Sequence, residues 1–276
     1  MSFVQLTSAG PSAAPINQWI KFYRTDSNVR LRLFCFSHAG GSARLFRHWP
    51  HMLPADIQVC TVELPGRHTR LLEPPCTNLP ELMDALSQVL VPWLDIPFAF
   101  FGHSMGALIA FELARKLRRG NNPGPQQLLV ASRPAPQKSR RQAAIYDLPE
   151  PEFIEALHSR YNIPLTALDH GELMQLMMPM LRADFAICDT YEYLPEEPLN
   201  IQINAYGGLA DREVTREEME AWENQTNNTF MLKMFPGDHF FLDSSPSLVT
   251  KAISDALEPP RGSNQLYPGF PGQDIG

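Results

Sequence analysis

Cysteine is scarce in this chain: four in 276 residues, with no C-x-x-C pair among Cys35, Cys60, Cys76 and Cys188. A disulfide framework and a zinc ribbon both lose their usual signature. Cys35 and Cys60 sit inside apolar, strand-like runs, so buried free thiols and a reducing, cytoplasmic home are expected. The sequons at Asn224 and Asn227 then carry no glycosylation meaning. Positive charge is also short: 23 Lys and Arg stand against 30 Asp and Glu, a net charge of -7. Nucleic acid is therefore not an expected partner, because a phosphate backbone needs clustered cations. No apolar run approaches the roughly 20 residues of a membrane span. The start, MSFVQLTSAGPSAAP, lacks the basic and apolar regions of a secretory leader. No period of 20–50 residues recurs, which argues against a solenoid or propeller. H-E-x-x-H and G-x-x-x-x-G-K-[ST] are absent too, so neither a metal nor another cofactor is expected.

What remains is globular: 44% hydrophobic and 19% charged residues, enough to build a sizeable core. LRLFCFSHAGG (31–41) reads as a buried strand running into a Gly-rich loop, and QVCTVELPG (58–66) repeats the pattern. Residues 79–94 carry apolar side chains at helical spacing with Pro80 near the start. PFAFFGHSMGALIAFELARKLRRG (97–120) holds a strand, a sharp turn and an amphipathic helix closed by basic residues and Gly120. Strand 126–136 follows. Alternation of this kind predicts an α/β fold, a mostly parallel central sheet flanked by helices. The rhythm breaks at about 137–198, where two helical stretches without a strand suggest a lid insertion. Strand 201–211, helix EEMEAWENQT, strand and loop 229–241 and helix SLVTKAISDALE complete a single domain, 1–258. A Pro- and Gly-rich segment, 259–276, reads as a flexible polar tail.

The sharpest chemical signal is Gly102-His103-Ser104-Met105-Gly106. A G-x-S-x-G run between a strand and a helix is the nucleophile elbow, in which small flanking residues allow a turn too tight for side chains. Ser104 would stand at a helix N-terminus, where negative charge is favoured. A serine hydroxyl needs a base, and the partners should follow in the order acid, then His. Asp211, ending IQINAYGGLAD, and His239, in Pro236-Gly237-Asp238-His239, fill those places. Asp238, Glu213 and Asp243 are rival acids. His48 and His51 fall in a surface helix, and His103 lies inside the elbow, unable to face Ser104 easily. An oxyanion needs backbone N–H donors; Met105 should supply one, and Ala39, in Ser37-His38-Ala39-Gly40-Gly41, the other.

Together with FSHAGGSA (36–43), ELPGR (63–67), LRADF (181–185), GGLAD (207–211) and FPGDHFFL (235–242), these residues closely resemble the stand-alone type II thioesterases of the α/β-hydrolase superfamily. That family accompanies non-ribosomal peptide and polyketide synthases. The resemblance covers the chain to about residue 258. It implies hydrolysis of acyl groups from the phosphopantetheine arm of carrier proteins, clearing mis-primed or stalled chains. It carries the triad onto Ser104, Asp211 and His239, the oxyanion donors onto Ala39 and Met105, and the lid onto 137–198. One departure is Ser37-His38, where many members have Pro before the equivalent position. The other readings are a medium- or long-chain acyl thioesterase of fatty acid synthesis, a carboxylester hydrolase, and a non-catalytic carrier-binding subunit. A monomer is expected. Arg67, Arg70, Arg133, Lys138, Arg140 and Arg141 are candidate contacts for an acidic carrier protein, with solvated arginines as the plain alternative. Met174, Met177, Met178 and Met180 would either line an acyl pocket or pack a helical core.

Overall fold

In a computed structural model of the chain the described residues are 18–23, 28–139, 141–161, 163 and 171–259. Among them, seven strands form one sheet: β1 (Ile20–Phe22), β2 (Leu31–Phe36), β3 (Ile57–Val62), β4 (Phe98–His103), β5 (Gln127–Ala131), β6 (Gln202–Gly208) and β7 (Phe230–Phe235). Their order is β1-β3-β2-β4-β5-β6-β7, and only the β1–β3 pair is antiparallel. The α/β expectation therefore holds. The strands are shorter than the apolar runs suggest, because the loops that follow them leave the ladder. β1 is an addition, three residues held by pairing with Cys60–Val62.

Residues on either side of each pleat enter different cores. Phe34, Phe36, Phe98 and Phe100 point toward helices α2 (Leu79–Leu90) and α3 (Met105–Arg119). Leu33, Cys35, Ala99 and Phe101 point the other way, toward α1 (Trp49–Met52) and α8 (Pro246–Ala256). Each fully buried Phe contributes roughly 1.5–3 kcal/mol by leaving water. Cys35 and Cys60 are free and buried, and burial pushes both thiols up from their ordinary range.

Between β5 and β6 lie α4 (Glu150–Tyr161) and α5 (Gly171–Asp189), with an apolar cluster of their own that includes Phe153, Leu157, Met178 and Phe185. Beyond β6 come α6 (Arg216–Glu220), capped by a reciprocal Thr215–Glu218 box, and α7 (Phe241–Ser244) before α8. The segment read as a tail lies, from residue 260 on, outside the described residues.

The strand order locates the site. From β2 the chain moves outward to β3, then crosses back over β2 to β4. The loops after β2 and β4 thus leave in opposite directions, and an open α/β sheet binds ligands in the crevice at such a switch point. Those two loops are Ser37–Gly41 and the elbow at Ser104.

Candidate active site

The elbow is as tight as the sequence demands. A Cβ on Gly106 would lie 2.1 Å from the Phe36 carbonyl oxygen, and one on Gly102 would lie 2.1 Å from the Gly106 oxygen. Ser104 itself adopts φ 54° and ψ -113°, a strained conformation for a residue with a side chain. Its N–H donates to the Ala131 carbonyl at 2.8 Å, which ties the turn to β5. The reward is geometric: Ser104 makes no side-chain cap to α3, so its hydroxyl is free to turn toward the crevice.

His239 Nε2 lies 3.0 Å from Ser104 Oγ, and His239 Nδ1 lies 3.0 Å from Asp211 Oδ2. Three side chains drawn from the ends of β4, β6 and β7 therefore stand in one hydrogen-bonded line. Asp211 Oδ1 accepts the N–H groups of Glu213 at 2.9 Å and Val214 at 3.2 Å, which fixes the carboxylate. Burial alone would raise its pKa; the hydrogen bonds from His239 and the Glu213 N–H outweigh that and hold it below the usual carboxylate range. The rival acids stand elsewhere. Asp238 caps the Phe240 N–H, Glu213 accepts from Gln142, and Asp243 is exposed.

Met105 is the first residue of α3, so its N–H has no acceptor one turn earlier in the helix. In the facing loop the Gly41 N–H donates to the His38 carbonyl and the Gly40 N–H to Asp184. The Ala39 N–H is left, with no acceptor among the described residues. Two N–H groups are thus unengaged, that of Met105, next to Ser104 in the chain, and that of Ala39, which lines the same cavity as Ser104.

His103, between Gly102 and Ser104 in the elbow, is 1% exposed and donates Nε2–H to the His239 carbonyl at 2.8 Å. Burial, reinforced by His38 and His239, holds this imidazole well below its ordinary pKa, hence neutral. In the unfolded chain it takes a proton near pH 6.5. The unfolded state then binds more protons below that pH, so stability falls as pH drops. His103→Gln keeps an amide donor and removes the titration. From pH 6.5 to 5.5 the wild type should lose about 1 kcal/mol more unfolding free energy than the variant. Urea midpoints at the two pH values check this, and parallel losses would refute it.

A cavity of about 560 Å³ opens over Ser104 and His239. Its far wall comes from α4 and α5, where Leu157, Tyr161, Leu181, Phe185 and Cys188 face inward. Tyr161 packs edge-on against His239, with ring centroids 5.1 Å apart. The four methionines of α5 follow the core reading: Met174, Met178 and Met180 are buried and Met177 partly so, all within the α4–α5 cluster and none on the cavity wall.

The fold and this alignment can be set beside known proteins. A thioesterase domain model matches residues 31–257. The chain belongs to the thioesterase domain family. The gramicidin S biosynthesis protein GrsT of Aneurinibacillus migulanus is 44% identical to the thioesterase over 230 residues, covering 83% of this chain and 90% of that protein. The RedJ thioesterase of the prodiginine pathway in Streptomyces coelicolor is 34% identical with a TM-score of 0.76, covering 83% of this chain and 87% of that one. The type II thioesterase BorB of the borrelidin cluster is 32% identical with a TM-score of 0.77, covering 89% and 98%. The thioesterase has the α/β-hydrolase architecture of these relatives.

The charged candidates divide. Arg67 and Arg70 are buried, at 4% and 5% exposure, and cannot be docking contacts. Arg67 pairs with Asp184, while Arg70 pairs with Glu73 and stacks 3.9 Å over the Trp19 ring. Arg133, Lys138 and Arg141 do line the cavity, and Arg141 also pairs with Glu218 at 2.8 Å. Arg140 lies outside the described residues. Arg160 and Tyr161, which sequence reasoning passed over, join the lining because α4 turns them inward. No group of His, Cys, Asp and Glu among the described residues could hold a metal ion. No helix among them is long and apolar enough to cross a membrane.

Proposed function

We propose that this thioesterase hydrolyses acyl groups from the phosphopantetheine arm of carrier proteins, as an editing enzyme of non-ribosomal peptide or polyketide biosynthesis. One observation carries the reading: His239 bridges Ser104 Oγ and Asp211 at 3.0 Å on each side, on the floor of a cavity large enough for an acyl chain. Relatives named for gramicidin S, prodiginine and borrelidin biosynthesis support the pathway class.

His239 takes the Ser104 proton as Oγ attacks the thioester carbonyl, and the oxygen becomes an anion facing the Ala39 and Met105 N–H groups. Collapse breaks the C–S bond, and the thiol leaves with the proton from His239. Water then gives a proton to His239 as it attacks the acyl-serine; breaking that ester returns the proton to Ser104 and releases the carboxylic acid. Asp211 keeps the imidazole in the tautomer that can accept, and balances its charge once protonated.

The helices within 137–198 act as a lid over the cavity, and the described residues up to 258 form one domain. One chain supplies all three catalytic side chains, which supports a monomer. Buried free thiols at Cys35 and Cys60 support a cytoplasmic setting. The carrier protein docks near Arg133, Lys138 and Arg141, at the cavity wall.

Side-by-side turnover of an acyl carrier protein, the matching acyl-CoA and a p-nitrophenyl ester tests the assignment. The expected order places the carrier thioester highest in kcat/KM by roughly tenfold or more, the scale of one extra specific contact. A preference for the ester would make this a carboxylester hydrolase. A preference for long-chain carrier thioesters would point to fatty acid release. No turnover and no fluorophosphonate labelling would leave a carrier-binding subunit.

A further inference from the structure

Asp184 is completely buried in α5, and its carboxylate meets Arg67 in a two-point contact of 2.6 and 2.9 Å. A buried ion pair is a poor device for stability, since desolvating both charges costs about as much as their attraction returns. This pair has a third partner. Asp184 Oδ2 accepts the Gly40 N–H at 2.7 Å, and Arg67 also donates to the Gly41 carbonyl at 3.0 Å.

Both ends of one peptide plane are therefore held. In the Ala39–Gly40 unit, the carbonyl accepts from His38 Nδ1 at 2.9 Å and the N–H is spent on Asp184. The Gly41 N–H, 2.9 Å from the His38 carbonyl, closes a turn around the preceding peptide, which carries the Ala39 N–H. With both planes fixed, that N–H has one direction. Gly40, at φ +76°, completes the seat: a Cβ there would come within 2.7 Å of Leu181 Cδ2, one turn earlier on α5 than Asp184.

We propose that Asp184, gripped by Arg67, is a positioning residue that aims the Ala39 N–H at the developing oxyanion and so couples helix α5 to the catalytic loop. The inference rests on the reading of Ser104 as nucleophile. An oxyanion donor acts in the transition state and hardly at all in the bound ground state, so its misplacement lowers kcat and spares KM.

Three variants test it: Asp184→Asn, the charge-neutral double Asp184→Asn/Arg67→Gln, and Gly40→Ala, which disturbs the seat and leaves the ion pair intact. Octanoyl-CoA turnover, inhibition by an octylboronic acid and thermal midpoints are measured for each. The boronic acid forms a tetrahedral adduct on serine and reports the oxyanion site separately from thioester binding. In the variants that fold, kcat should fall on the order of 10²-fold, as when one oxyanion donor is lost. KM should stay within about threefold, and boronate affinity should weaken in step with kcat. A folded variant with near-normal kcat, or one that loses kcat and keeps boronate affinity, overturns the proposal. So does failure of all three to fold, which would make the contact structural. Absence of a Ser104 fluorophosphonate adduct in the wild type marks the separate case in which the parent reading falls.

Discussion

Replacing Ser104 with Ala yields a folded protein whose turnover of a phosphopantetheine thioester is lower by roughly 10³-fold or more. The fold survives because the hydroxyl has one partner among the described residues, His239 Nε2, whereas the backbone at 104 does the structural work through the Ala131 carbonyl. Alanine meets the same strain as serine at φ 54°, so the elbow keeps its shape. What is lost is the atom that the proposed mechanism acylates, and Cys188, which lines the cavity, is a poor substitute because burial pushes its thiol up and away from the reactive thiolate. Residual rate would come from direct attack by water on a thioester carbonyl whose oxygen still faces the Ala39 and Met105 N–H groups. The measurement is kcat under saturating substrate, with fluorophosphonate labelling falling from one adduct per chain to none. Activity within tenfold of wild type would remove Ser104 from its role.

That residue was legible because its signal is local. Five consecutive residues, a strand before and a helix after, specify the turn, and the Phe36–Gly106 approach shows why the glycines are required. Asp211 and His239 follow from chain order, each at the carboxyl end of an apolar strand. The Asp184–Arg67 grip was not legible in the same way: its partners are 117 positions apart, and each alone looks like a solvated charge. The same default misled the reading of Arg67 and Arg70 as surface residues. Burying an arginine requires partners that single residues do not announce, here a carboxylate in α5 and the ring of Trp19. β1 escaped because three residues have no period, and their strand conformation comes from pairing with β3. On α5, spacing gave the helix but not its rotation. Leu181, Phe185 and Cys188 share the face toward the cavity, whereas the methionines fill the contact with α4.

The second large effect should come from Asp211→Asn, with a loss of roughly 10³- to 10⁴-fold in kcat from a change of one atom. Asp211 uses its two oxygens differently: Oδ1 accepts the Glu213 and Val214 N–H groups, and Oδ2 accepts from His239 Nδ1. An asparagine placed here must keep its single oxygen toward those two N–H donors, because turning its amide toward them would bury four hydrogens against one another. The NH₂ then faces His239 Nδ1 and can only donate. His239 must carry its proton on Nε2, the nitrogen 3.0 Å from Ser104 Oγ, where it can no longer accept one. The base is present, correctly placed and in the wrong tautomer. Its imidazolium, when formed, also lacks the negative charge beside it. Because the packing is isosteric, the thermal midpoint at pH 7 should shift far less than the rate, and fluorophosphonate labelling should slow in parallel with kcat. A variant within tenfold of wild type would show that His239 draws its orientation from elsewhere, and the line from Asp211 through His239 to Ser104 would be geometry without a catalytic consequence.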